Sequence, residues 1–206
     1  MTTKRYTGSE ADEAAVVLRA GGLLAVPTET VYGVAANAED AAAVRRIFEL
    51  RNRDFGKPVS ILVTGMDMAE RYCRNIPPAA RRLAARYWPG PLTMVLEDGE
   101  AVPSVVTAGT GTLGVRCPDH PLTLALIEKA GVPLAAPSAN LAGEEPARTA
   151  QEVLDYFDGK IEGVADGGPC QLGVASTVLD LTKTEPKVLR EGGIPGRELL
   201  AFLREG

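Results

Sequence analysis

The residues best suited to chemistry fall in a few short segments. Arg51-Asn52-Arg53 with Lys57 places three cations within seven positions. An arginine offers a planar fork that matches a phosphate or carboxylate, and a lysine offers a point charge. The same cluster at the end of a helix also complements the helix dipole, so a solvated charged face is the plainer reading. In Pro27-Thr28-Glu29-Thr30-Val31-Tyr32-Gly33, three hydroxyls and one carboxylate crowd five consecutive positions. Such a segment could hold a small polar ligand, or its threonines could simply cap a turn. Ser138 and Asn140 are two apart, so in extended chain they point the same way. A hydroxyl and an amide on one side can read phosphate oxygens and a base or ribose edge; an Asx-turn or helix cap is the alternative. Gly173-Val174-Ala175-Ser176-Thr177 and Leu189-Arg190 add a hydroxyl and another arginine late in the chain.

Common nucleotide signatures are absent. There is no Gly-x-x-x-x-Gly-Lys-[Ser/Thr] segment. Gly109-Thr110-Gly111-Thr112-Leu113-Gly114 has the letters of a dinucleotide fingerprint, but a strand is expected after it where the fingerprint needs a helix. It reads better as a loop rich in backbone N–H groups. His120 is the single histidine. Histidine-cluster metal sites are therefore excluded, and a nucleophile–histidine relay would have to pass through that one residue. Its setting, Pro118-Asp119-His120-Pro121, suggests a cap or turn contact.

These residues need elements to hold them. Ser9 with Asp12 resembles a capping box opening a helix to about Ala20, stopped by Gly21-Gly22. Leu23–Val26 reads as a buried strand ended by Pro27. From Asp40, Val44, Ile47 and Phe48 recur at helical spacing and carry Arg51 out at the C-terminal end. Strands are expected at Val59–Val63, Thr93–Leu96, Leu113–Arg116, Leu134–Ala136, Val164–Asp166, Thr177–Leu181 and Val188–Arg190. Helices are expected from Pro77-Pro78 to Trp88, over Pro121–Ala130 with Leu122, Ala125 and Leu126 inward, over Thr149–Phe157 and over Arg197–Leu203. Strands interleaved with helices predict an α/β fold around one twisted sheet, with ligands at the glycine- and proline-rich segments after strands.

The chain has 206 residues, 45% hydrophobic and 24% charged, with a net charge of −5. Wholesale wrapping of nucleic acid by bulk charge is disfavoured at a sequence pI of about 5.1. No apolar run approaches the ~20 residues of a membrane span, and the polar start lacks a signal peptide, so a cytoplasmic location is expected. Cys73, Cys117 and Cys170 are odd in number and far apart, which argues against a disulfide framework or a structural zinc site.

Taken in order, the segments resemble the YrdC-like family of threonylcarbamoyl-AMP synthases. The likeness runs from about Gly22 to Gly193 and treats 1–206 as one domain. It includes Pro27-Thr28-Glu29-Thr30-Val31-Tyr32-Gly33, Trp88-Pro89-Gly90-Pro91-Leu92-Thr93, Val115-Arg116-Cys117-Pro118, Ala136-Pro137-Ser138-Ala139-Asn140, Ser176-Thr177-Val178 and Leu189-Arg190. The family hallmark, Lys-x-Arg followed far downstream by Ser-x-Asn, stands here as Arg51-Asn52-Arg53 and Ser138-Ala139-Asn140. The resemblance implies a single-domain α/β fold, a twisted mixed β-sheet flanked by helices with a concave ligand site. It implies a nucleotidyltransferase that joins L-threonine, bicarbonate or CO2, and ATP into threonylcarbamoyl-AMP and pyrophosphate. That is the first step of a tRNA modification, with the product consumed by a separate tRNA threonylcarbamoyl transferase.

By the same likeness Arg51 and Arg53 are catalytic. Arg51, Arg53, Lys57, Thr112, Ser138, Asn140 and Arg190 bind ATP. Thr28, Tyr32, Arg116 and Ser176 bind threonine. Mg2+ accompanies the triphosphate with no protein side chain assigned to it; a weak tRNA contact is expected and a membrane contact is not. Two departures stand out: arginine rather than lysine at position 51, and no histidine in Pro58–Val63. The chain looks like the family's short form. Rival readings are a double-stranded RNA or tRNA-binding module and a related carbamoyl-adenylate-forming enzyme on the same fold.

Overall fold

The computed structural model describes residues 2–205, so Met1 and Gly206, the outermost positions of the expected 1–206 domain, lie outside it. In chain order the elements are β1 (Lys4–Tyr6), α1 (Ala11–Arg19), β2 (Leu24–Val26), β3 (Gly33–Asn37), α2 (Ala41–Leu50), β4 (Ile61–Leu62), α3 (Met66–Ala69), β5 (Cys73–Arg74), α4 (Pro78–Tyr87) and β6 (Leu92–Asp98). They continue with α5 (Ser104–Thr107), β7 (Thr112–Arg116), α6 (Pro121–Ala130), β8 (Leu134–Ala135), α7 (Ala150–Phe157), β9 (Gly163–Ala165), β10 (Thr177–Asp180), β11 (Lys187–Arg190) and α8 (Gly196–Arg204).

One mixed sheet runs β1-β9-β2-β3-β8-β4-β7-β6-β10-β11, with β5 added beside β6. Four pairs are parallel (β1 with β9, β9 with β2, β4 with β7, β6 with β10) and the others antiparallel. This is the expected α/β fold with helices flanking a mixed sheet. Its central strands are buried, including Leu24–Val26, Val34–Ala36, Leu134–Ala135, Met94 and Val115.

The helices follow their apolar stripes. In α2, Val44, Ile47 and Phe48 are fully buried, each worth about 1.5–3 kcal/mol against exposure. Asp40 caps that helix by accepting from Ala42 and Ala43 N–H groups. Its last turn hands the chain to Arg51.

Several local expectations shift. The capping box forms at Thr7 and Glu10, not Ser9 and Asp12, and opens a 3-10 turn (Gly8–Glu10) that leads into α1: the Glu10 carboxylate accepts from the Thr7 N–H at 2.9 Å. In α6 the inward positions are Thr123, Leu126, Ile127 and Ala130, with Leu122 and Ala125 only half-buried. The strand expected over Val59–Val63 narrows to Ile61–Leu62. Two strands carried little signal. β3 is glycine, valine, two alanines and asparagine; all but the valine are poor strand formers, extended because β2 and β8 pair with them. β1 is charged at Lys4 and Arg5, as suits an edge strand.

Candidate functional site

The sheet carries a hollow of about 360 Å³, within the range of small-molecule sites. Its walls come from chain-distant pieces: Thr28 and Thr30 to Gly33 at the turn from β2 into β3, Arg53 and Pro58–Ser60 between α2 and β4, Thr93 of β6, Thr112, Gly114 and Arg116 of β7, Ala136–Ser138 after β8, and Ala175, Ser176, Val178, Leu189 and Arg190 around β10 and β11. Gly114 keeps the floor low. A Cβ there would stand 2.7 Å from Ser60 Oγ.

On the β7 side, Arg116 is held in place. Its Nη2 stands 2.7 Å from Glu29 Oε1, with both side chains less than a tenth exposed. Its Nε donates to the Gly90 carbonyl at 3.2 Å. Glu29 Oε2 accepts from the Asp119 N–H at 3.1 Å. The carboxylate is therefore committed to its partners, and it is the arginine that reaches the wall.

Thr28 makes a tight turn. Its Oγ1 accepts from the N–H groups of Thr30 and Val31 and donates to the Val31 carbonyl at 2.7 Å. Turn chemistry and cavity lining thus occur at the same residue. Tyr32 is fully buried and donates to the Gly168 carbonyl at 2.9 Å, and burial raises its phenol well above the ordinary range.

At β10 and β11, Arg190 folds its guanidinium back onto Ser176. Nε and Nη2 donate to the Ser176 carbonyl at 3.1 and 2.8 Å, and Nη2 also reaches Ser176 Oγ at 3.1 Å. Ser176 Oγ lies 2.8 Å from Thr93 Oγ1. Arg53 donates to the Pro58 carbonyl at 2.9 Å. Burial lowers both guanidiniums, and Arg190 is lowered further by Arg116 and Arg53. Three like charges thus converge on one hollow, and neither Arg53 nor Arg190 has a carboxylate within ion-pair distance among the described residues. That arrangement is complementary to an anion of several charges.

The other expected positions divide. Thr112 lines the mouth beside Thr110, their hydroxyls 3.0 Å apart. Ser138 lines the wall. Arg51 and Asn140 lie behind that wall: Arg51 is only 4% exposed and its Nη2 reaches Ser138 Oγ and Asn140 Oδ1, each at 3.2 Å. Lys57 is exposed and forms no part of the lining. Sequence reasoning did not single out Thr93 or Ser60, and gave Glu29 no charge partner. Thr93 sits inside a quoted motif, which was its only signal. Ser60 and the Glu29–Arg116 pairing depend on contacts between segments far apart in the chain.

No group of three or more His, Cys, Asp or Glu side chains suited to a metal ion occurs among the described residues. Burial pushes the Cys117 and Cys170 thiols up to about 11, so neither is a ready nucleophile. His120 sits at the start of α6 as a cap position, without a side-chain capping bond.

A mixed sheet carries a hydroxyl-rich hollow on which three arginines converge, complementary in charge to a small polyanion. The chain belongs to the Sua5/YciO/YrdC family, whose model, described as telomere recombination, matches residues 16–192. It is 48% identical over 192 residues to the threonylcarbamoyl-AMP synthase of Pyrococcus abyssi, a match covering 93% of this chain and 56% of that one. It is 41% identical over 214 residues to the Bacillus subtilis threonylcarbamoyl-AMP synthase, covering 98% of this chain and 62% of that one. The crystal structure of P. abyssi Sua5 complexed with L-threonine superposes with a TM-score of 0.94 at 43% identity, covering 98% of this chain and 61% of that one. The chain therefore spans about three-fifths of the length of these relatives. No helix among the described residues is long and apolar enough to cross a membrane.

Proposed function

We propose that this chain is an L-threonylcarbamoyladenylate synthase, a nucleotidyltransferase making threonylcarbamoyl-AMP and pyrophosphate from L-threonine, bicarbonate or CO2, and ATP. The observation that carries the reading is the convergence of Arg53, Arg116 and Arg190 on one hydroxyl-lined hollow. The threonylcarbamoyl-AMP synthase names of relatives at 41–48% identity support it.

The chemistry suits such a site. Threonine's amine nitrogen forms a bond to the carbon of CO2 and loses a proton, giving a carbamate. A carbamate oxygen then bonds to the α-phosphorus of ATP as the bond to the β-phosphate oxygen breaks, and pyrophosphate leaves with that electron pair. The carbamate and the triphosphate that must meet are both anionic, so positioning and neutralisation supply the rate, and no covalent intermediate on the protein is needed. Arg53 and Arg190 hold the phosphates, with Ser138 and Thr112 on the nucleotide side. Arg116, steadied by Glu29, pairs the threonine carboxylate, and Thr28, Tyr32 and Ser176 close its pocket.

Magnesium travels with the nucleotide. Among the described residues no Asp or Glu side chain lines the hollow, and Glu29 beside it is taken by Arg116, so triphosphate oxygens and water would supply most of the ion's ligands. The mixed anhydride is consumed by a tRNA threonylcarbamoyl transferase, with at most weak tRNA contact here, in the cytoplasm. A duplex-RNA module is the poorer reading because its cations should run along an exposed strip, whereas these point into a hollow. The test is incubation with ATP, Mg2+, threonine and bicarbonate, followed by mass analysis. A threonine-dependent carbamoyl adenylate with matching pyrophosphate is expected; ATP consumption without either product refutes the reading.

A further inference from the structure

Arg51 holds the first position of the Arg-x-Arg pair, yet it does not face the hollow. Its Nε donates to the Asn140 carbonyl at 3.0 Å, and Nη2 donates to Ser138 Oγ and to Asn140 Oδ1, each at 3.2 Å. Its own carbonyl accepts from the Ala142 N–H at 3.0 Å. Asn140 spends its remaining side-chain capacity in the same loop, where Nδ2 donates to the carbonyls of Leu141 at 2.8 Å and Glu144 at 2.9 Å. Both side chains are less than a tenth exposed. Of this group, Ser138 alone lines the hollow.

We infer that Arg51 is a positioning residue: it locks the loop over residues 138–144 from behind and so fixes Ser138 for the nucleotide, without itself touching phosphate. The inference rests on the nucleotide reading above for the ligand, and on contacts within the chain for the lock. The fork explains the residue type. Two nitrogens in one plane meet three acceptors on two residues, a span that the single nitrogen of a lysine does not reproduce. Burial supports the same role: Arg51 is 4% exposed and absent from the lining of the hollow, while Ser138, which it holds, lines it.

The test uses the full chain with Arg51→Lys, and Arg51→Gln as the second variant should the first fail to fold. Without ligand, hydrogen exchange over residues 138–147 should quicken by about tenfold in the variant, as befits loss of charge-assisted hydrogen bonds, while distant segments stay unchanged. Unaltered exchange there overturns the lock. Titration with adenosine and with ATP should show both weakened by the same factor, about tenfold. A loss confined to ATP overturns the inference in favour of a direct phosphate contact. Combined with Ser138→Ala, the Arg51→Lys change should weaken ATP little beyond the worse single variant; fully multiplicative losses overturn an action through Ser138. A wild-type chain that binds neither adenosine nor ATP defeats the nucleotide reading instead, and the exchange result still decides whether Arg51 locks the loop.

Discussion

The arginines around the hollow are held in two different ways. Arg116 is buried against Glu29 at 2.7 Å and fastened to the Gly90 carbonyl, so its charge is answered within the protein. Arg53 and Arg190 are fastened only to carbonyl and hydroxyl oxygens. Their charges are opposed by burial and, for Arg190, by its neighbours. Where the cation is paired, a single carboxylate ligand can be oriented without the empty site paying a large repulsion. Where cations are left unpaired, their charge is complementary to a polyanion. On the proposed reading, the paired arginine takes the threonine carboxylate and the two unpaired ones take the phosphates.

The contrast can be broken most forcefully at Arg53. Arg53→Ala should cut the threonine-dependent rate of pyrophosphate release by about 10²–10³-fold and leave the far-UV spectrum unchanged. A rise in threonine KM alone, with kcat intact, would put the phosphates on the other side. Glu29→Gln attacks the paired side. Leaving Arg116 buried without its counter-charge should cost about 3 kcal/mol of stability, read by denaturant melts. Added threonine should then raise the melting temperature more in the variant than in wild type, because its carboxylate replaces the missing charge. Equal shifts would detach Arg116 from threonine.

His120 tests the same side by pH. Burial lowers its pKa below the ordinary 6.5, against smaller upward pulls from Gly167, Glu29 and Asp119. The unfolded chain therefore binds this proton more readily, so the stability it contributes is present above about pH 6.5 and is lost as pH falls toward its folded value. Melts between pH 7 and 5 should decline in wild type and less steeply in His120→Asn; identical slopes would refute the assignment. The smallest effect is expected at Lys57, exposed and off the lining. Lys57→Ala should change ATP KM by less than about twofold, as for most surface substitutions. A larger rise would extend the phosphate side beyond the hollow.

The long periodic elements were legible. Helices α2, α4, α6 and α7 follow apolar stripes with Asp40, Pro78, Pro121 and Thr149 at their starts. Strand β3 was not, because small residues carry no strand signal and extension came from neighbours on both edges. In the site, residue types and motif order marked Arg53, Arg116, Ser138, Ser176 and Arg190, all of which line one hollow. They did not mark orientation. Arg51 and Arg53 are two apart, and one turns behind Ser138 while the other faces the cavity.

The sequence by itself determined the inventory: cations, hydroxyls and the Glu29 carboxylate among them, set in alternating strands and helices. It did so because apolar spacing and turn residues act over a few positions, which a linear reading can follow. Only the tertiary structure decided which charge meets which. Glu29 and Arg116 are 87 residues apart in the numbering yet pair at 2.7 Å, and Arg190 finds Ser176 across a strand pair. A Coulomb interaction depends on distance and burial in space, and chain order specifies neither until the sheet has formed.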